Sequence, residues 1–529
     1  MEDKVMKKLY ILTILAAFSF ACVPLDTDPW GSETDTIFWK EDPNAAYSAL
    51  NSCYTSLNDI YEVVFSDGMT DNAYVKGGNN QSIGNGRYGT SEGYVYSVWN
   101  NHYSGIRKCN EVLAHIDEVP GLKAELKARY IAEAMAIRSF HYYELYCHFG
   151  GVPYFDHPIS VAEARSATRM SADALRDQIV TDLKSVINSD ALPASYTGAD
   201  RGRITKWTAR AILAKVYLWD NNYSALIPLT EEIMGSGINL YGNYAQLFEL
   251  EHEYEPEIML ARQYTPHLLD QDVIYSIMPP TLHGYTAIAP LKSLMDSYIM
   301  LNGKAIGEAG SGYSSADPWK DRDPRMAATV MYPGNSYPTA SGNVEPDWAD
   351  RDAFGSTSDV TPTGYYIRKW WDKSCYDNTH SGLNGILIRY ADILLMNAEA
   401  HVEQGSMDAT VWNNTIRKIR ARAGFTQAGA LDFPSGASKE QLREIVRNER
   451  RVELAFEGQR RNDIFRWRTA ETVLNGECLG YYSGSPVGTR DGFVIVENRV
   501  FNPSRHYLWP IPQKERDLTQ NALDQNPNW

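Results

Sequence analysis

Residues 449–461 read Glu-Arg-Arg-Val-Glu-Leu-Ala-Phe-Glu-Gly-Gln-Arg-Arg. Glu449, Glu453 and Glu457 recur every four residues, the spacing that stacks side chains on one helix face with Cβ atoms roughly 6 Å apart. That is superficially near the ~5–5.5 Å carboxyl separation of a retaining glycosidase. The neighbours argue against such chemistry. Arg447, Arg450, Arg451, Arg460 and Arg461 surround the series. Nearby cations lower a carboxylate pKa, whereas a general acid needs its pKa raised. The stretch reads as a structural ion network that orients the last helices, with Asp463 and Arg466 as further members.

Helical patterning extends upstream over 45–60, 99–118, 123–149, 171–188, 206–220 and 225–234. In 123–149, Leu126, Tyr130, Ala134 and Ile137 follow the period of one helix face. Ala132, Ala134 and Ala136 are small enough for a neighbouring helix to come close. Gly150-Gly151 followed by Pro153 marks the helix end. In 206–235, Leu213, Ala214 and Tyr217 hold the first-helix spacing of a tetratricopeptide repeat, in a loose match. A second candidate pair is 393–404 with 410–423. The expected fold is mainly α: tetratricopeptide-like helix pairs form a scaffold over about 40–235 and 389–470. A loop-rich region, about 236–388, interrupts it. The length of 529 residues allows several domains, but no linker cuts the chain, so 22–529 reads as a single unit.

Residues 65–98, 236–388 and 475–505 are rich in turn-forming residues. A loop segment as long as 236–388 in a compact protein is usually functional. The chain holds 34 Tyr and 13 Trp against 15 Phe, an excess of rings with polar tips. Sugar rings present C–H faces that stack on such rings, and their hydroxyls need Asn, Asp, Gln and Arg nearby. Tyr74, Tyr88 and Tyr94 sit among Asn79, Asn80, Gln81, Asn85 and Arg87. Tyr285, Trp319 and Trp348 sit in the longer loop region among Asp317, Asp321 and Asp347. These six aromatics are the candidate ligand-binding residues. Tyr130, Tyr217 and Tyr390 lie on helix patterns and read as packing.

The net charge of −16 argues against a nucleic-acid partner, which needs a basic face. No HExxH, GxSxG, P-loop or Rossmann fingerprint occurs in its proper context, so no catalytic residue and no cofactor is assigned. His141 and His148 read as core or groove residues rather than zinc ligands. Asp321 and Asp323, or Asp347, Asp350 and Asp352, offer oxygens for a structural calcium ion but lack the full loop pattern.

At the N-terminus, Lys7 and Lys8 precede a mostly apolar, uncharged run, Leu9 to Phe20, too short to span a bilayer. It ends in Ser19-Phe20-Ala21-Cys22, the form of a bacterial lipoprotein signal. Residues 1–21 are the expected signal peptide and Cys22 the expected lipidation site. Cys53, Cys109, Cys147, Cys375 and Cys478 are far apart and read mostly as buried small hydrophobes.

Several motifs resemble those of the SusD/RagB family. They include the 389–400 helix, Arg-Tyr-Ala-Asp-Ile-Leu-Leu-Met-Asn-Ala-Glu-Ala, and the 449–461 stretch with Asp463 and Arg466-Trp467. Leu508-Trp509-Pro510-Ile511-Pro512 with Gln525-Asn526-Pro527 is similar to the family's closing motif. Gly150-Gly151-Val152-Pro153, Arg322-Asp323-Pro324-Arg325 and Gly364-Tyr365-Tyr366 fit too. The resemblance spans residues 22–529. It implies a lipid-anchored outer-membrane protein at the cell surface that binds oligosaccharide or polysaccharide without catalysis. The implied partner is a SusC-like TonB-dependent transporter. A peptide or other nutrient as cargo is the alternative; a glycoside hydrolase is less favoured.

Overall fold

The computed structural model describes residues 35–529 except 79, 372 and 376–378. The expected signal peptide and Cys22 lie outside these residues.

The scaffold is a succession of helices packed against one another. Gly93–His115 packs on Ala124–Phe149, which packs on Ala172–Asn188. Lys206–Trp219 packs on Tyr223–Met234, which packs on Tyr390–Gln404, and that helix on Lys439–Glu453. The helix ends carry their local signals. Ser171 Oγ accepts from the Ala174 amide at 3.2 Å, capping its helix. Ser438 and Gln441 form a reciprocal capping box. Gly150, at φ +70°, closes Ala124–Phe149 with its amide on the Tyr146 carbonyl at 3.0 Å; a left-handed residue here suits glycine. The closing motif clamps the same end. The Trp509 amide donates to the His148 carbonyl at 2.8 Å, and Asn526 Nδ2 donates to the carbonyls of Phe149 and Trp509. The 45–60 pattern resolves into two helices, Ala45–Tyr54 and Ile60–Phe65, the second opened by an Asp59 capping box.

Tyr130, Tyr217 and Tyr390 are buried in the main core. His141 and His148 are buried as well. His141 Nδ1 lies 3.1 Å from His102 Nδ1, and its Nε2 lies 2.9 Å from Ser56 Oγ. Burial holds both rings well below the usual imidazole range, so they are neutral packing groups. Cys53, Cys109 and Cys147 are buried free thiols, and Cys478 is a half-buried one.

Ala134 and Ala136 are fully buried, and a close helix–helix approach is made by Gly105 on the facing helix. A Cβ there would stand 2.2 Å from His141 Nε2. Because that ring is held from two sides, Gly105→Ala is expected to destabilise by about 1–3 kcal/mol, the usual cost of overpacking. A lower urea midpoint checks this; an unchanged midpoint contradicts so close a packing.

The 236–388 region is irregular but braced by short antiparallel strand pairs. Ile258–Arg262 pairs with Gly385–Arg389, and Val330–Met331 with Tyr366–Ile367. Ala73–Val75 pairs with Ile288–Pro290, joining the 65–98 loops to the longer region. Near the C-terminus a ribbon forms from Gly476–Tyr482 and Phe493–Arg499, with Thr489–Arg490 on its edge. One large hydrophobic core runs through the scaffold and the loop-rich region alike, from Trp39 to Leu523.

The ion network sits where these parts meet. Glu449 and Glu453 lie on the Lys439–Glu453 helix, but Glu457 does not. The helix ends at Glu453, and Phe456 takes a left-handed φ of +61°, so the four-residue spacing breaks at its last member. Glu457 is instead brought to Glu453 by a shared cation. Arg389 donates to Glu257 at 2.8 Å, to Glu453 at 2.7 Å and to Glu457 at 2.6 and 2.8 Å. Lys369 reaches Glu457 at 2.5 Å. Arg325 bridges Asp323, Glu449 and Glu453. Arg420 binds Glu449, and Arg422 binds Glu257 and Glu453. Arg450 joins Asp392 to Asp463, and Arg466 joins Asp463 to Glu399. Burial pushes the Glu453 carboxyl up, but Arg422, Arg389 and Arg325 outweigh it and hold it well below the usual carboxylate range. A carboxylate so held is unsuited to donating a proton.

Candidate functional site: an aromatic cavity

The Arg322-Asp323-Pro324-Arg325 motif links the network to the surface. Asp323 and Arg325 belong to the buried ion pairs. Arg322 turns the other way and ties down the loop ahead of it. Its guanidinium donates to the carbonyls of Pro318 (2.8 Å), Met295 (2.5 Å) and Tyr298 (3.1 and 2.8 Å). These bonds fix the turn that carries Trp319, whose ring stacks on Tyr332 with centroids 4.6 Å apart and stands edge-on to Tyr365 at 6.0 Å.

Trp319 and Arg322 line a cavity of about 680 Å³, within the size range of small-ligand sites. Trp348, Phe354, Tyr365 and Tyr313 line other parts of it, and Tyr481, Tyr482 and Phe493 enter from the C-terminal ribbon. The ribbon can come so close because Gly364 has no side chain: a Cβ there would stand 2.3 Å from the Tyr481 ring. The Tyr481 amide then donates to the Thr363 carbonyl at 2.7 Å. Asp352 anchors the opposite loop. Its carboxylate accepts from the amides of Thr281 (2.9 Å) and Asp347 (2.7 Å), which braces the turn bearing Trp348.

Two aromatics stand out from the lining into solvent, Tyr482 at 62% exposure and Phe354 at 42%. Exposing large rings is unfavourable unless something covers them. The polar complement is present as well. Lys292 pairs with Asp296 and lies 4.5 Å over the Phe493 ring. Trp348 Nε1 is buried without a hydrogen-bond partner, a donor left over for a bound acceptor or water. Arg322 has no carboxylate within ion-pair distance among the described residues, and burial draws its pKa down. Flat rings with scattered donors and acceptors suit a ligand that has both apolar faces and many hydroxyls.

Of the six aromatics singled out in the sequence, the cavity brings together Trp319 and Trp348. The other four lie elsewhere. Tyr74 sits on the Ala73–Val75 strand and its hydroxyl accepts from Gln81 at 3.1 Å. Tyr88 is buried against Trp529 and His506. Tyr94 packs edge-on to Trp509 and lines a small internal cavity of about 60 Å³ with Glu62, His102 and Arg461. Tyr285 packs on Tyr275 at 4.9 Å. Tyr313, Phe354, Tyr481, Tyr482 and Phe493 carry no expectation from the sequence, and Tyr365 enters only within the Gly364-Tyr365-Tyr366 motif. The Tyr481-Tyr482 pair and Phe493, around a glycine-punctuated ribbon tip, were the available signal.

Both oxygens of Asp323 are taken by Arg325, and those of Asp352 by backbone amides. Among the described residues, no group of three or more His, Cys, Asp or Glu is placed to hold a metal ion. Nor is any helix among them long and apolar enough to cross a membrane.

A helical scaffold that displays an aromatic, loop-built cavity defines a ligand-binding protein. The SusD family's sequence model matches residues 250–529, more than half of the chain, so the chain belongs to the SusD family. A second family model, described as starch-binding and associating with the outer membrane, matches residues 43–218. SusD-like protein P2 of Formosa agariphila is 26% identical over 99% of this chain and 100% of its own length. Among solved structures, a SusD-like carbohydrate-binding protein from Bacteroides fragilis superposes with a TM-score of 0.82 at 26% identity, covering 92% of this chain and 100% of the other. A surface glycan-binding protein A from Bacteroides fluxus shares the fold, with a TM-score of 0.69 at 21% identity over 92% and 99% of the two chains. The mainly helical fold expected from the sequence is the fold of this family.

Proposed function

We propose that this protein binds oligosaccharide or polysaccharide in the Trp319–Trp348 cavity and passes it to a SusC-like TonB-dependent transporter. It does so at the cell surface, held to the outer membrane by lipid on Cys22. The observation that carries the reading is the cavity itself, with rings from three separate segments and the unpartnered Trp348 Nε1 among them. Family membership and the carbohydrate-binding relative from B. fragilis support it. The outer-membrane association in the second family description supports the location. The protein acts by binding rather than catalysis, since the acidic series nearest to a catalytic pattern is neutralised in the ion network.

Affinity electrophoresis against soluble starch, laminarin, xylan and pectin tests the binding. Retardation by at least one of them, with no reducing sugar released, is expected. Free migration through the whole panel by folded protein would overturn the carbohydrate reading. Co-purification of a β-barrel transporter with the tagged protein tests the partnership separately.

A further inference from the structure

A second cleft, of about 250 Å³, shares no lining residue with the aromatic cavity. It lies between the loop ahead of the Lys206–Trp219 helix and the segment that leads into the Ile258–Arg262 strand. Three observations there point to a ligand. Tyr254 is 42% exposed, and the Arg201 guanidinium lies 4.5 Å from its ring centroid. Arg201 has no carboxylate within ion-pair distance among the described residues, so its role at the cleft is to brace the ring. Asn384, only 2% exposed, also lines the cleft. Its Oδ1 accepts from the Tyr264 amide at 2.7 Å and its backbone N–H donates to Glu253 at 2.6 Å. Its Nδ2 is buried with no partner. A buried donor needs an acceptor, and leaving one unmet costs free energy.

The loop is held in place from below. Arg203 pairs with Glu133 and Asp200, and Gln263 Nε2 donates to the Arg201 carbonyl at 3.3 Å. Gly202, at φ +85°, permits the approach, since a Cβ would stand 2.0 Å from Gln263 Nε2. The cleft thus combines a braced ring, a spare amide donor and a fixed wall.

We infer that this cleft is a second carbohydrate subsite, with Tyr254 as its platform and Asn384 Nδ2 as a donor to a sugar oxygen. The inference rests on the carbohydrate reading of the protein. Two subsites on one chain let a polymer bind twice, so the second contact forms at high effective concentration.

The test uses full-length soluble protein as wild type, Tyr254→Ala, Trp319→Ala and the double variant. The probes are soluble starch, laminarin, xylan and pectin in native gels and, in calorimetry, a hexasaccharide of whichever polymer retards wild type. For a polymer that retards wild type, Tyr254→Ala is expected to weaken binding by about tenfold or more and to lower the hexasaccharide stoichiometry. Residual binding in Trp319→Ala should disappear in the double variant. Tyr254→Ala behaving as wild type in both assays would overturn the second subsite, with water then satisfying Asn384, while leaving the main cavity intact. Binding lost with Tyr254→Ala but untouched by Trp319→Ala would support the cleft and reject the main cavity. A wild type that binds none of the probes would overturn both.

Discussion

Arg389→Met is expected to lower stability by about 3–5 kcal/mol, the usual cost of leaving buried charges uncompensated. Arg389 is 1% exposed and touches three carboxylates. The loss is not shared equally among them. Glu453 keeps Arg325 and Arg422, and Glu257 keeps Arg422. Glu457 is left with Lys369 alone among its ion-pair partners in the described residues. Burial already pulls that lysine down to about 8 against the attraction of Glu457. The damage should therefore centre on the turn after Glu453, where Phe456 holds left-handed backbone at φ +61°, and on the packed segment at Trp370, φ +69°. Trp370 Nε1 donates to the Phe456 carbonyl at 2.8 Å and links the two. Guanidinium titration measures the effect as a lower midpoint at unchanged slope. Arg490→Met is the control, because its pair with Glu477 is largely in solvent and exposed pairs contribute little. Equal midpoints for the two variants would contradict a stabilising network.

Trp319→Ala should remove most of the carbohydrate affinity while leaving the fold intact. Ring anchors at the centre of a binding surface commonly contribute about 2–4 kcal/mol, or roughly 30-fold to 1,000-fold in Kd. Trp319 is half-buried and backed by Tyr332, so its ring is positioned before any ligand arrives. Such preorganisation spares the cost of ordering the side chain on binding. Tyr482→Ala should cost less, since its ring stands mostly in solvent and must be ordered by the ligand. A Trp319→Ala variant that binds as wild type would take the residue out of the site.

The helices were legible because a 3.6-residue period, caps and a Gly-Gly stop are local signals. Gly150 ends its helix where the sequence says it should. The ion network was legible from its density of arginines, but the place of Glu457 was not. A left-handed turn at a phenylalanine leaves no mark in the spacing. The cavity was half legible for a related reason. Trp319 and Trp348 are turn-borne rings among polar residues, and they line it. Tyr88 and Tyr94 have the same local look, yet Trp529 and Trp509 cover them from the far end of the chain. The opposite case is the ribbon, whose Tyr481, Tyr482 and Phe493 reach the cavity because a glycine at 364 admits them. Contacts across more than a hundred residues of chain cover Tyr88 and Tyr94 and bring the ribbon to the cavity, and side-chain type alone does not encode them.

The central claim is that the rings around Trp319 and Trp348 bind carbohydrate. Calorimetric titration of wild type and Trp319→Ala with a polysaccharide that retards the wild type in gels tests it most directly. Measurable heat and a defined Kd are expected for wild type, with affinity weakened by about 30-fold or more in the variant. Equal affinity in the two proteins, at equal thermal stability, would contradict it.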